Sequence, residues 1–281
     1  MLKILAQNAL DAFSDPKTTD EYVALIEHLQ PDVAIFPEAY DADRTETVVV
    51  AIQQLKSLGY EVLHGLYDDK DGRKDRHGTI LLVRQGLQAA DKPSGLLWIG
   101  LRNAIQAWVV DPDTQHTVHV VGVHLNDRSE AKRQAELDDL LGKIIKPDEP
   151  TIIAGDLNAI YRQDAKGFVV SAARFINLLV RAHLFPAPEP VVATHSKKNL
   201  GRVGSLSKRM SEIASGKTLA RLQAAGLTDA DPTHMRTYPA ARPVVQLDHI
   251  MLSPSLSVRS FEVLPKTSSD HLGIMADAIL N

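Results

Sequence analysis

Thr151-Ile152-Ile153-Ala154-Gly155-Asp156-Leu157-Asn158 is the stretch on which the reading of this chain turns. The run from Thr151 to Ala154 is short, rich in β-branched residues and bounded by turn formers, which predicts a buried strand. Gly155 lets the backbone turn sharply at the strand end, and alternation then predicts that Asp156 and Asn158 emerge on one side. Strand ends facing a crevice are where open α/β folds usually place their chemistry. Taken alone, the same residues also suit a helix start, because Asp and Asn are favoured N-caps. The rest of the chain decides between the two.

Working outward, other predicted strands also end in polar residues: Gln7-Asn8, Pro37-Glu38, His124-Leu125-Asn126 and Leu247-Asp248-His249. Ser268-Ser269-Asp270-His271 lies between the last two strands. Each has a structural explanation of its own. Asn8 and Asn126 suit turns, Glu38 suits the first turn of a helix after Pro37, and Asp270 can hold a turn through nearby backbone. A lone histidine such as His124, His249 or His271 is usually a satisfied core residue. The case for chemistry rests on all of them together.

Between these sites the chain predicts a helix capped by Thr18 and Thr19 and ended by Pro31, then a buried strand from Asp32 to Phe36 stopped by Pro37. A second helix is expected from about Thr45 to Leu58, with Gly59 as its stop. Strand-like runs follow at Tyr60–Tyr67, Gly78–Arg84, Leu96–Leu101, Asn103–Asp111 and Gln115–Leu125, with a charged loop after the first. A helix from Ser129, helical runs at Phe168–Ala182, Leu206–Ala214 and Lys217–Ala225, and strands at Val244–Leu252, Ser257–Leu264 and Gly273–Leu280 complete the pattern. No internal repeat or linker interrupts it, so a single domain over residues 1–281 is expected.

Composition narrows the classes. With 44% hydrophobic residues in 281, the chain can bury a substantial core. It has no cysteine, which rules out disulfides and thiolate metal sites. The first eight residues read as a strand rather than a signal peptide, and no apolar run reaches the roughly 18 residues of a membrane span. A cytoplasmic protein with no membrane contact and no obligate protein partner is the expectation. Charge is uneven: residues 161–221 hold 11 Lys and Arg against 3 Asp and Glu, while the remainder holds 20 against 32. That asymmetry suggests an anionic partner for a basic helical insertion, unless the segment is simply a solvated face.

The order of the polar sites resembles the endonuclease/exonuclease/phosphatase superfamily, the deoxyribonuclease-like metal-dependent phosphoesterases. The likeness runs from Asn8 to His271, with Gly155-Asp156-Leu157-Asn158 and Ser269-Asp270-His271 its most specific parts. The resemblance implies an α/β fold, a four-layer α/β/β/α sandwich of two mixed, mostly antiparallel sheets, with the site at one edge between them. It also implies hydrolysis of phosphodiester bonds with Mg²⁺, or Mn²⁺, held by Glu38 with Asn8 and Asp270 close by. Oxygen ligands and few carboxylates suit such a hard cation. The resemblance makes Asp156 the residue that orients and deprotonates water, with Asn158 bonding the phosphate or that water. His271 would contact the phosphate as an imidazolium supported by Asp248, and His124 would be a second phosphate contact or leaving-group acid. Asn126, Arg202, Lys208 and Arg209 are the expected substrate contacts.

The chain departs from the abasic-site endonuclease branch. Ala6-Gln7-Asn8-Ala9-Leu10 lacks its usual Trp-Asn start, and Val123-His124-Leu125-Asn126 replaces a Tyr-centred motif. Nuclease action on DNA or RNA is the leading expectation. Hydrolysis of a lipid, inositol or other small phosphate ester is the alternative, and a non-catalytic binding protein keeping the fold is a second.

Overall fold

Strand-forming runs from both halves of the chain assemble into two sheets of six strands each. The computed structural model describes residues 1–68, 74–100, 102–146, 149–164 and 212–281. In the first half lie β1 (Leu2–Ala6), α1 (Pro16–Leu29), β2 (Val33–Asp41), α2 (Thr45–Ser57), β3 (Tyr60–Asp68) and β4 (Lys74–Arg84). Then come β5 (Gly95–Ile99), β6 (Arg102–Val110), β7 (Thr117–His124), α3 (Glu130–Lys143) and β8 (Thr151–Asp156). The last part of the chain holds α4 (Lys217–Ala224), β9 (Thr228–Asp229), β10 (Asp248–Leu252), β11 (Leu256–Val263) and β12 (Ile274–Leu280).

One sheet runs β11-β12-β1-β2-β4-β3 and the other β5-β6-β7-β8-β10-β9. Each contains one parallel pair, β1 with β2 and β7 with β8, and every other pairing is antiparallel. Alternation gives each central strand two buried faces. Ile4, Ile35 and Leu81 face Ile105, Val120, Ile152 and Ile250 in the core between the sheets. Leu5, Phe36 and Leu82 face the other way, onto Tyr22 and Ile26 of α1 and Leu55 of α2. On the far side, Val121, Ile153 and Met251 pack under Leu137 and Leu140 of α3 and Leu219 and Leu222 of α4. The result is the expected four-layer sandwich.

Several local expectations are corrected. Asp15, not Thr18 or Thr19, caps α1: its side chain accepts from the Lys17 and Thr18 amides, and Pro16 fits the first turn because its missing N–H would be unpaired there anyway. Pro37 does not stop β2. The strand continues to Asp41 through a bulge against β4, between Phe36 and Tyr40, and Pro37 and Glu38 occupy it. A bulge tolerates a residue with no ladder N–H, and Glu38 takes a left-handed φ of 47° there. The expected strand Val244–Leu252 is split: Val245 makes an isolated bridge to Tyr238, and β10 begins only at Asp248. The expected helix Phe168–Ala182, and residues 206–211 of the expected Leu206–Ala214, lie outside the described residues, as do Arg202, Lys208 and Arg209.

Gly155 illustrates how tightly the motif strand is set. Its φ is 131°, and a Cβ added there would run into the Val123 carbonyl oxygen on β7. Gly155→Ala is therefore expected to cost more than about 1 kcal/mol, since alanine fits neither the dihedral nor the space. A urea midpoint unchanged from the parent would refute this.

Candidate active site

The two parallel pairs deliver their carboxyl ends to the same edge of the sandwich. In the second sheet, register sets His124 at the end of β7 beside Asp156 at the end of β8, and Asp156 opposite Asp248 at the start of β10. In the first sheet, Asn8 follows β1, Glu38 sits in the β2 bulge, and Asp270-His271 leads into β12. Asn8 Nδ2 donates to Asp156 Oδ2 at 3.1 Å, which ties the two sheets together at this edge.

The electrostatic problem at the centre is two carboxylates, Asp156 and Asp248, opposite each other on adjacent strands. Like charges in that position repel. The His271 ring lies between them: Nδ1 donates to Asp248 Oδ2 at 2.8 Å, and Nε2 lies 3.9 Å from Asp156 Oδ2. Burial pulls the His271 pKa down, but Asp248, Asp156 and Asp270 outweigh it and hold the ring charged well above the usual histidine range. Burial pushes Asp156 up, and Asp248 adds to this; His271 and the amides of Asn158 and Asn8 oppose it without cancelling it. One oxygen of Asp248, Oδ1, is buried with no hydrogen-bond partner among the described residues.

His124 is different. Its Nε2 lies 3.5 Å from Glu38 Oε1 and 3.7 Å from Asp156 Oδ2. Burial first, then the charges of Arg102, His271 and His77, hold its pKa well below the ordinary value. The ring is neutral at pH 7, so these contacts are not ion pairs. Glu38 is pushed up by burial, with Asp11 and Asp270 adding to the shift and His77 and His271 resisting it.

The supporting residues are specific. Ser269 Oγ donates to Asn8 O at 2.6 Å and accepts from His271 N at 3.0 Å, locking the His271 loop to the end of β1. Gln7 Nε2 donates to His271 O at 3.0 Å. Asn158 does not follow strand alternation, because β8 ends at Asp156 and Asn158 has a left-handed φ of 47°. It meets the site through a turn: its N–H donates to Asp156 Oδ1 at 2.8 Å, and its Nδ2 donates to Leu125 O at 3.0 Å. Asn126 Oδ1 accepts from the amides of Arg128 and Ser129, each at 3.0 Å, so its oxygen holds the turn and only its amide nitrogen is suited to meet a substrate. His249 faces away from the site. Its ring nitrogens reach Asp229 Oδ2 at 2.7 Å and Ala159 O at 3.0 Å, the satisfied core histidine that one reading of the sequence allowed.

The structure thus gathers Asn8, Glu38, His124, Asn126, Asp156, Asn158, Asp248, Asp270 and His271 at one edge. Sequence reasoning missed Arg102, Arg133 and Glu136, which grip the 124–126 turn. Arg102 donates to the carbonyls of His124 and Leu125, Arg133 to that of Asn126, and Glu136 accepts from Asn126 N. Arg133 and Glu136 sit on α3 among ordinary surface-helix charges, and nothing in their spacing marks them as buried. Asp11 and His77 were also missed. As for a cation, no three His, Asp or Glu side chains form a ready-made cage among the described residues. Mg²⁺ does not require one, since it keeps several waters and takes only one or two carboxylates. Glu38 fits that demand: it is an oxygen donor whose charge is disfavoured by burial and by two neighbouring carboxylates, and a cation would relieve both.

Similar architectures are known. An endonuclease/exonuclease/phosphatase from Beutenbergia cavernae superposes with a TM-score of 0.66 at 17% identity, covering 100% of this chain and 72% of that one. The mannosyl-6-phosphatase Bt3783 of Bacteroides thetaiotaomicron gives 0.59 at 13% identity over 100% of both chains. ANGEL2, a 2′,3′-cyclic phosphatase seen with adenosine-2′,3′-vanadate, gives 0.62 at 15% identity over 99% and 95%. No curated protein matches the sequence. Identities this low speak for the fold alone; the sequence profile of the Endonuclease/Exonuclease/phosphatase family matches residues 11–271, and the chain belongs to that family of phosphoester hydrolases.

Proposed function

We propose that the chain hydrolyses phosphodiester bonds with the help of a divalent cation, and that a nucleic acid is its leading substrate class. The observation that carries this reading is the His271 ring held between Asp248 and Asp156 beside neutral His124. A phosphodiester is anionic and resists attack, so the site must neutralise charge and align water. Asp156, with its raised pKa, takes a proton from the water as the water oxygen bonds to phosphorus and the bond to the leaving oxygen breaks. His271, charged and aimed through Nε2, meets the phosphoryl oxygens where negative charge grows. His124, neutral, acts as a hydrogen-bond contact to the phosphate rather than as a preloaded acid. Asn8 orients Asp156, and Asn158 braces the Leu125 carbonyl. Glu38, with Asn8 and Asp270 beside it, is the oxygen set that would hold Mg²⁺ or Mn²⁺; when bound, the ion polarises a phosphoryl oxygen and steadies the departing one.

Asn126 through its amide nitrogen, and Arg202, Lys208 and Arg209 of the basic segment, are the proposed contacts to a longer substrate. A small phosphate ester is the second reading, favoured because proteins of this architecture include a mannosyl-6-phosphatase and a 2′,3′-cyclic phosphatase. Bis(4-nitrophenyl) phosphate assayed with Mg²⁺, with Mn²⁺ and with EDTA tests the chemistry. Hydrolysis that EDTA abolishes and either ion restores is expected; a rate indifferent to EDTA would sink the metal-dependent reading. A panel of duplex DNA, single-stranded DNA, RNA and phosphate monoesters then separates the two substrate classes.

A further inference from the structure

Behind the catalytic edge, on the face of the second sheet that α3 and α4 cover, lies an imidazole that the proposed chemistry does not use. His249 follows Asp248 on β10, so alternation sends Asp248 inward to the site and His249 outward, and register sets His249 opposite Gly155 of the motif strand. Both ring nitrogens meet acceptors. Nδ1 lies 2.7 Å from Asp229 Oδ2, and Nε2 lies 3.0 Å from Ala159 O. A carbonyl oxygen can only accept, so Nε2 carries a proton, and the Asp229 carboxylate calls for a second one on Nδ1. Asp229 is itself held: Tyr161 Oη donates to Oδ2 and Asp231 N to Oδ1, each at 3.1 Å. Side-chain exposures of 0% for His249 and 4% for Asp229 put the pair out of reach of solvent. Burial opposes the charge on the ring, but Asp229 first, then the Ala159 carbonyl and Asp248, outweigh it and keep the pKa above the ordinary histidine value. Among the described residues, the titratable groups facing the ring are Asp229 of β9, Asp248 of its own strand and Tyr161, whose ring lies edge-on at 5.9 Å. Burial and Asp229 push the Tyr161 phenol further up, so it keeps its proton in alkali.

What this ring fastens is the motif turn. Ala159 follows Asn158, whose N–H donates to Asp156 Oδ1 and whose Nδ2 donates to Leu125 O. The turn is pinned at one point by Leu157 N on Leu247 O at 3.0 Å and at the next by His249 on Ala159 O. A neutral ring that kept its N–H on Asp229 would aim the Nε2 lone pair at the Ala159 carbonyl oxygen, 3.0 Å away, and repel the peptide that leads out of Asn158. We propose that His249, braced by Asp229, is a positioning residue of the active site, which holds the Asp156–Asn158 turn where Asp156 meets its water. This rests on the reading of Asp156 as the base. His249 touches neither substrate nor reacting atoms and acts through Ala159 and Asn158.

His249→Asn and His249→Gln separate the two ring contacts. Asparagine places an amide where Nδ1 stands, so it keeps a donor for Asp229 but falls short of Ala159. Glutamine reaches as far as Nε2 and can donate to Ala159 O. On bis(4-nitrophenyl) phosphate, His249→Asn should lower kcat about tenfold or more with KM little changed, the signature of a misaimed group. His249→Gln should recover most of that loss. A role confined to stability predicts instead that kcat follows the urea midpoint in both variants; that result, equal losses in the two, or no loss in either overturns the proposal. NMR of the parent reads the brace without turnover. Both ring nitrogens of His249 should carry protons at neutral pH, and when alkali removes one, the Asn158 and Ile160 amides should shift at the same pH. A ring already neutral there, or amides that ignore its titration, overturns the proposal even if neither variant folds. If the parent cleaves no diester, the reading of Asp156 as the base falls, while the same titration still decides whether His249 holds the turn.

Discussion

Asp156→Asn is expected to lower turnover by at least about a hundredfold while leaving the fold intact, the scale of a lost acid–base group. The substitution keeps shape and removes one charge. An asparagine oxygen still accepts from Asn158 N, where Asp156 Oδ1 does so at 2.8 Å. At the other position an amide NH₂ would face the Asn8 donor, now 3.1 Å from Oδ2, so Asn8 must turn and the tie between the sheets weakens modestly. Thermal stability should hold or rise, because a buried carboxylate opposite Asp248 on the adjacent strand is a source of repulsion. Losing activity without losing stability is what separates a catalytic base from a structural one. Combined with His271→Ala, the loss should be less than the product of the two single losses, because both groups act on one transition state. Steady-state kinetics on an aryl phosphodiester read the effect, and fully multiplicative losses would place the two residues in separate events.

The layers of the fold were largely legible because their signals are local. Thr151–Ala154 is apolar and β-branched, Gly59 closes α2, and Ser129 caps α3 as its sequence suggests. What failed depended on partners distant in sequence. Pro37 looks like a strand stop, yet a bulge in β2 against β4 admits it. Thr18 and Thr19 look like caps, but Asp15 one turn earlier has the better geometry for the free amides. Most of the site was gathered by its resemblance to a family, and the structure brings those residues to one edge. Alternation placed Asn158 on the side of Asp156 for the wrong reason, since a turn and not a pleat joins them. Arg133 could not have been singled out: its burial depends on Glu130, on the Asn126 carbonyl and on Glu212 within the basic segment, which no spacing on α3 encodes. Asp11 and His77, 66 residues apart, meet only because the β2 bulge aligns them.

Asp248→Asn should reshape the pH profile more than any other single change. In the parent, burial works against a charged His271 and the Asp248 carboxylate overcomes it, so the ring keeps its charge above the ordinary histidine range. Without that carboxylate the burial penalty is left opposed mainly by Asp156 and Asp270, and the folded-state pKa must fall. Activity that depends on a charged His271 should then fail on the alkaline side at a lower pH. At pH 8 the loss should reach at least about a hundredfold, the size of a lost transition-state donor. Stability follows the same charge. A histidine with a raised folded pKa stabilises the protein fully below about pH 6.5, its unfolded value, and loses that contribution as pH rises through the folded value. Asp156 acts in the same direction at lower pH, because its raised pKa makes ionisation cost stability as pH climbs past the ordinary carboxylate range. In the parent, the part of the urea midpoint tied to His271 should hold through neutrality and be lost only in alkaline solution. In the variant, the loss tied to His271 should begin near neutral pH. An NMR titration of the His271 ring, read alongside kcat against pH, checks both halves. If the ring titrates at the same pH with and without Asp248, the carboxylate is not what charges it, and the anion-stabilising role assigned to His271 falls with it.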